Sequence, residues 1–340
     1  MPENTTYPLL CEPVLKAKVW GGRRLEELLG LDLPEGRKIG EAWVVADLHQ
    51  GSSTVANGPR AGETLSAVTA DWGEDLIGPA WRGKPTGGRF PLLIKFLDAQ
   101  DNLSVQVHPD EAACRDLFPN DFSKDESWVI LNVEEGGTIL HGFVPGTTRA
   151  DFDRLLAEDA VVDCMRSVRV RPGEFYRVEP GMVHALCKGV AILEIQEPSD
   201  STFRIYDYNR PGDDGRPRAL HVNAARQVLR FEAAGSTPGA RRPVAASWGT
   251  HEVLVDVPAY RIERLDLRGE FSWSVDPRSA QVLIVLEGGA SARAGGEEII
   301  LKRGSTLILP ATVGEVEVRA ADGPLRLVLA GAGGVAMAGT

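Results

Sequence analysis

Cysteine is scarce in this chain and poorly placed for chemistry. The four present (Cys11, Cys114, Cys164 and Cys187) are scattered, with no Cys-x-x-Cys pair. That excludes a thiolate zinc ribbon and a disulfide scaffold, and predicts reduced thiols that mostly pack in a core. Cys187, three residues after His184, is the thiol best placed to border a site. No apolar stretch approaches the roughly 20 residues that cross a bilayer, so no membrane span is expected. Positive charge is also short. A formal net charge of −11 and the lack of a helix-turn-helix pattern argue against a nucleic-acid binder. No Gly-rich phosphate loop of the P-loop or Rossmann kind occurs, so a bound phosphate would have to rest on side chains. The polar start Met1-Pro2-Glu3-Asn4 lacks a basic region followed by an apolar one. The expectation is a cytoplasmic protein.

Turn formers are abundant. The chain has 37 Gly and 22 Pro among 340 residues, enough length for two domains built from many short strands. Strand patterns fall at 14–17, 41–45, 90–97, 174–178 and 190–196, and again at 260–265, 281–287, 298–301 and 325–330. Helical patterns fall at 64–76, 110–118 and 149–157, the last with Thr148 as its N-cap. Residues 235–243 are small, polar and basic, and read as a linker. The expected division is therefore a metal-binding domain over 1–234 with helical insertions and a smaller β domain over 244–340.

Metal-ligand chemistry concentrates in three places. In Leu103-Ser104-Val105-Gln106-Val107-His108-Pro109-Asp110, the strand period of two puts Gln106 and His108 on one face, and Pro109 stops the strand. Glu126 opens the apolar run Glu126-Ser127-Trp128-Val129-Ile130-Leu131. A Pro-Gly turn at Pro180-Gly181 delivers His184 into a further strand. Two His, one Glu and one Gln form an N/O set that suits zinc and equally Fe(II), Mn(II), Co(II) or Ni(II). The order of ligands, and the last His after a Pro-Gly turn, fit a cupin, a double-sheet jelly roll. A fainter echo, Gly304 to Gly314, repeats the Gly–strand–Pro–turn plan of Gly173 to His184 with Gly314 in the place of the His. It predicts a second cupin-like barrel that carries no metal.

Four ordered segments resemble type I phosphomannose isomerases (mannose-6-phosphate isomerases) of the short bacterial form. They are Pro91-Leu92-Leu93-Ile94-Lys95-Phe96-Leu97-Asp98-Ala99 running on to Gln106-Val107-His108-Pro109, then Lys124-x-Glu126, Pro180-Gly181-x-x-His184-Ala185, and Ser199-Asp200-Ser201-Thr202-Phe203-Arg204. Gly40-Glu41-x-Trp43 also resembles the family's opening strand, and most of the chain is covered. The resemblance implies a mainly β fold: a cupin metal-binding domain with inserted helices plus a second, smaller cupin-like domain. It implies an aldose–ketose isomerase that interconverts mannose 6-phosphate and fructose 6-phosphate by proton transfer through an enediol.

Site roles follow from the same resemblance. One Zn2+ per chain, or another divalent ion, would be held by Gln106, His108, Glu126 and His184. Arg204 is a fixed positive charge for the developing oxyanion. Lys124 shares a face with Glu126, and desolvation beside a cation favours the neutral amine that can take a proton. Asp200 matches an acid implicated in ring opening. Ser104 and Lys95 match positions near the sugar phosphate. The implied partner is a small-molecule sugar phosphate, with the chain acting as monomer or homodimer.

Several positions depart from the family pattern. Position 123 is Ser where some members carry His, 125 is Asp where many carry Pro, and Glu197-Pro198 stands where bacterial relatives often have small polar residues. The Val44-Val45-Ala46 strand lacks the usual acidic and hydroxyl residues. An unphosphorylated or different sugar, an Fe(II) cupin oxygenase and a non-catalytic sugar-binding cupin are the alternative readings. Lys124 and Arg204 argue against the last two. His141 is expected near the pocket, His221 near Arg204, and His49 and His251 at the surface.

Overall fold

Val190–Gln196 reads Val-Ala-Ile-Leu-Glu-Ile-Gln, and every residue in it is buried. A strand alternates its side chains between two faces, so such a run needs cover on both sides. In a computed structural model describing residues 6–212, 215–232, 243–321 and 323–337, it has that cover. The strand lies inside a six-stranded antiparallel sheet, ordered Phe175–Val178, Glu126–Val133, Val190–Gln196, Leu93–Asp98, Ile39–Val45 and Val14–Gly22.

One face of this sheet meets a five-stranded sheet made from Met165–Arg169, Thr138–Phe143, His184–Leu186, Val105–Val107 and Phe203–Tyr206. Trp128, Ile192, Tyr176, Ile139 and Leu186 fill the space between them. This is the jelly roll. Helices Glu111–Asp116, Arg149–Ala157 and Val222–Val228 lie along the chain around the five-stranded sheet, and Phe152, Ala225 and Val228 pack with its Val105, Val107 and Leu140. The other face of the six-stranded sheet sends Leu193, Ile195, Ile94 and Phe96 into a core shared with Tyr260, Ile262, Val282, Ile308 and Val328. That core joins the jelly roll to a second pair of sheets.

The second pair is an eight-stranded sheet facing a four-stranded one (Glu270–Ser274, Glu315–Ala320, Ala290–Ala294, Glu297–Leu301), with Leu283, Leu307, Leu327, Val316 and Val318 between them. It is the sandwich that the Gly304–Gly314 echo predicts. Two of its eight strands come from the start of the chain. Leu9–Glu12 pairs antiparallel with Thr306–Leu309 in the register Leu9 to Ile308, and Thr54–Val55 pairs with Leu9–Glu12 in turn.

Elsewhere the structure refines the expected elements. Helix Arg149–Ala157 has the predicted bounds, and Thr148 caps it in a reciprocal capping box with Asp151. The single helix expected over 64–76 is two, Leu65–Trp72 and Glu74–Ile77, because Gly73 takes a left-handed φ of 50° and ends the first. Asp110 is an N-cap, accepting from the Ala113 N–H, and the helix proper starts at Glu111. His251 is buried and bonded to Glu263 at 2.9 Å, so the surface placement is corrected: a carboxylate partner satisfies it inside. Cys187 packs with Leu140, Phe143 and Phe152 in the core between the five-stranded sheet and the helices, as expected of a core thiol, and does not border the pocket. Of the linker expected over 235–243, all but Pro243 lies outside the described residues.

Candidate metal centre and substrate pocket

His184 begins a strand whose first residue pairs with Gln106 on one side and His141 on the other. Gln106 in turn pairs with Arg204. Adjacent strands therefore carry three of the expected site residues at one level of the five-stranded sheet. Glu126 comes from the opposite sheet, where it pairs with Gln196. The ligand atoms of His108, Glu126 and His184, all buried, lie within 4.8 Å of one another. Among the described residues no other such group of His, Cys, Asp or Glu occurs, so the second sandwich holds none.

Both imidazoles are set for metal binding. His108 Nδ1 donates to the Ser201 carbonyl at 2.8 Å, and His184 Nδ1 donates to the Met182 carbonyl at 2.9 Å. Each bond leaves the Nε2 lone pair facing Glu126, at 3.4 and 3.3 Å from its two oxygens. Burial, reinforced by the Lys124 charge, pushes His108 down to about 3, and burial also lowers His184. Both rings thus stay neutral, the state a metal requires. Burial would raise the Glu126 carboxyl, but the Lys124 charge, the largest opposing cause, holds it well below the usual range. Neither buried oxygen of Glu126 has a well-formed hydrogen bond. A divalent cation fits this donor set and satisfies those oxygens. The Gln106 amide lies 3.2 Å from His184 Nε2, and half a turn of that amide offers its oxygen at the same point.

Lys124 reaches into the cluster, with Nζ 2.7 Å from Glu126 Oε2 and 3.3 Å from His108 Nε2. It also lines a pocket of about 240 Å³ together with Ser104, Gln106, Lys95, Asp200 and Arg204. All the remaining expected site residues therefore meet in one cavity, and Lys124 and Gln106 join it to the candidate ligand cluster. Arg204 has no carboxylate partner there. Its Nη1 donates to the Ala219 carbonyl at 3.0 Å, its buried Nε lacks an acceptor, and Asp207 is instead held by Arg210 and Arg218. Burial and the neighbouring Arg218 lower the Arg204 guanidinium from its ordinary value. His221 accepts from the Arg204 backbone N–H at 3.2 Å, as expected. His141 sits inside the barrel, bonded to the Arg177 carbonyl, and does not line the pocket.

Lys95 is matched by carboxylates: Glu194 at 3.1 Å and Asp200 at 3.9 Å, in the same pocket as Glu41. Burial pulls Lys95 down, yet Glu194, Glu41 and Asp200 together hold it above its ordinary value. Glu194, Lys18 and Arg218 line the pocket although the sequence reading did not single them out. Glu194 had a visible signal, a lone carboxylate in the apolar run 190–196. Lys18 and Arg218 had none.

Comparison with known proteins agrees with this geometry. The family model for the phosphomannose isomerase type I catalytic domain matches residues 9–127. A probable mannose-6-phosphate isomerase of Bacillus subtilis is 35% identical over 320 residues, 92% of this chain and 96% of that protein. The crystal structure of the mannose 6-phosphate isomerase from Bacillus subtilis superposes with a TM-score of 0.86 at 29% identity, covering 96% of this chain and 99% of that one. A mannose 6-phosphate isomerase solved with zinc and yttrium shares the fold, with a TM-score of 0.71 at 19% identity over 96% of this chain and all of that one (100%). The His–Glu–His cluster, the lysine on its edge and these matches along nearly the whole chain have one common explanation: the chain belongs to the type I phosphomannose isomerase family.

Proposed function

We propose that this chain interconverts mannose 6-phosphate and fructose 6-phosphate, with one Zn2+ held by Gln106, His108, Glu126 and His184. The observation that carries this reading is Lys124, whose Nζ lies 2.7 Å from Glu126 while its side chain lines the pocket. A sugar-binding cupin or an oxygenase has no use for a proton carrier there. A divalent metal, when bound, orients and polarises the sugar oxygens. Lys124 moves the proton between C1 and C2, and Arg204 meets the oxyanion that develops in the enediol. Asp200, half-exposed at the rim, serves ring opening. Ser104 and Lys95 hold the phosphate side of the substrate, and Arg218 adds a further cation to the same wall. The enzyme works in the cytoplasm, as monomer or homodimer.

Proton NMR of the zinc-loaded protein in D2O tests the reading, with fructose 6-phosphate, free fructose and free mannose supplied separately. The expected result is mannose 6-phosphate, abolished by a chelator. Turnover of the free sugars only would overturn the phosphate assignment, and no turnover at all would overturn the isomerase reading.

A further inference from the structure

The three residues that depart from the family pattern around the proton carrier, Ser123, Asp125 and Glu197, meet one another: Ser123 through its hydroxyl, Asp125 through its backbone and Glu197 through its carboxylate and backbone. Ser123 Oγ lies 3.1 Å from each oxygen of Glu197, and the Asp125 N–H donates to Glu197 Oε2 at 2.9 Å. In the reverse direction the Glu197 N–H donates to the Asp125 carbonyl at 3.2 Å. The Glu197 carboxylate therefore grips the residue before Lys124 and the residue after it.

That grip falls where the sheet gives least support. The ladder between the two strands ends at the Glu126–Gln196 pair, so residues 123–125 lie beyond it. The Lys124 backbone N–H has one partner of its own, the Pro109 carbonyl at 3.2 Å. The Asp125 side chain points away from the site, held by Arg177 and by the Tyr260 hydroxyl at 2.6 Å. It cannot substitute for Glu197.

We propose that Glu197 is a positioning residue for the reaction: by holding Ser123 and Asp125 it fixes the backbone from which Lys124 reaches the ligand cluster and the sugar. The proposal rests on the reading of Lys124 as proton carrier. Glu197 itself lines neither the pocket nor the candidate ligand cluster. A displacement of about 1 Å at a reacting group costs on the order of 100-fold in rate, so a clamp of this kind acts on kcat and leaves binding nearly alone.

The test uses metal-loaded enzyme and mannose 6-phosphate. Glu197→Ala should lower kcat about 10- to 100-fold with KM within about twofold. Glu197→Gln should recover most of that loss, because its amide oxygen still accepts from Asp125. In a Lys124→Ala background the Glu197→Ala change should have no further effect on kcat. Should Glu197→Ala fail to fold, Ser123→Ala removes one arm alone and should give a smaller fall in kcat, again absent without Lys124. Unchanged kcat in Glu197→Ala or losses that multiply in the double variant would overturn the clamp, and so would failure of Gln to restore activity. Wild-type protein without turnover would overturn the isomerase reading beneath it.

Discussion

His108 donates through Nδ1 to the backbone carbonyl of Ser201, 2.8 Å away, and so ties a candidate ligand ring to the segment that carries Asp200 and Arg204. The ring cannot reorient without disturbing the wall of the pocket. The candidate metal centre and the pocket wall are thus coupled through one hydrogen bond.

Ligand loss should follow directly. His108→Ala and His184→Ala should each weaken metal binding by more than about 100-fold, exceeding the effect typical of groups one bond further out. Metal content by emission spectroscopy after dialysis against a weak chelator checks this. A variant that keeps the metal under those conditions would remove its histidine from the set.

Lys124→Ala should retain metal yet lose about 100- to 10,000-fold in kcat, the range that general acid–base groups contribute. Lys124→Arg should not restore turnover, since a guanidinium does not release its proton. Undiminished activity in the alanine variant would exclude Lys124 from proton transfer.

Tyr260 joins the second sandwich to the strand of Glu126. Its hydroxyl meets Asp125 at 2.6 Å and Ser127 at 2.9 Å, all buried. Tyr260→Phe removes both bonds and leaves a buried carboxylate with one partner fewer. The expected cost is about 1–3 kcal/mol, read from urea unfolding. An unchanged midpoint would contradict the bridge.

His141 gives a pH dependence of defined sign. Burial, aided by the nearby His184, pushes it down to about 4 despite its bond to the Arg177 carbonyl. The unfolded chain takes up this proton near pH 6.5 and the folded chain only near 4, so stability falls as pH drops through that window and levels below it. The loss is on the order of 3 kcal/mol. In metal-free protein, His141→Gln should flatten the curve by that amount relative to wild type. Parallel curves for the two proteins would assign the acid sensitivity elsewhere.

Much of the clustering of this candidate site was legible because its residues obey local rules. The period of two placed Gln106 and His108 together, Pro109 marked the strand end, and Pro180-Gly181 announced His184. Glu126 was legible at the start of an apolar strand, and Lys124 two residues before it through the family resemblance. What stayed hidden depends on distant partners. Glu263 explains the burial of His251, and Lys18 reaches the pocket through the ion pair with Glu41 at 3.0 Å. Residues 123, 125 and 197 stood out as oddities, but only the folded sheet brings them together. The pairing of Leu9 with Ile308 spans nearly the whole chain and leaves no local pattern to read.

That same pairing makes the later sandwich dependent on a strand from the opposite end of the described chain. A fragment starting after residue 243 would lack Leu9–Glu12 and Thr54–Val55, and Thr306–Leu309 would become an open sheet edge. Its four residues Thr-Leu-Ile-Leu are all buried in the whole protein. Uncovered, such an edge is a template for pairing with other copies and for aggregation. During synthesis, Leu9–Glu12 must wait for Thr306–Leu309 before either finds its place, so the two sandwiches share a single folding history.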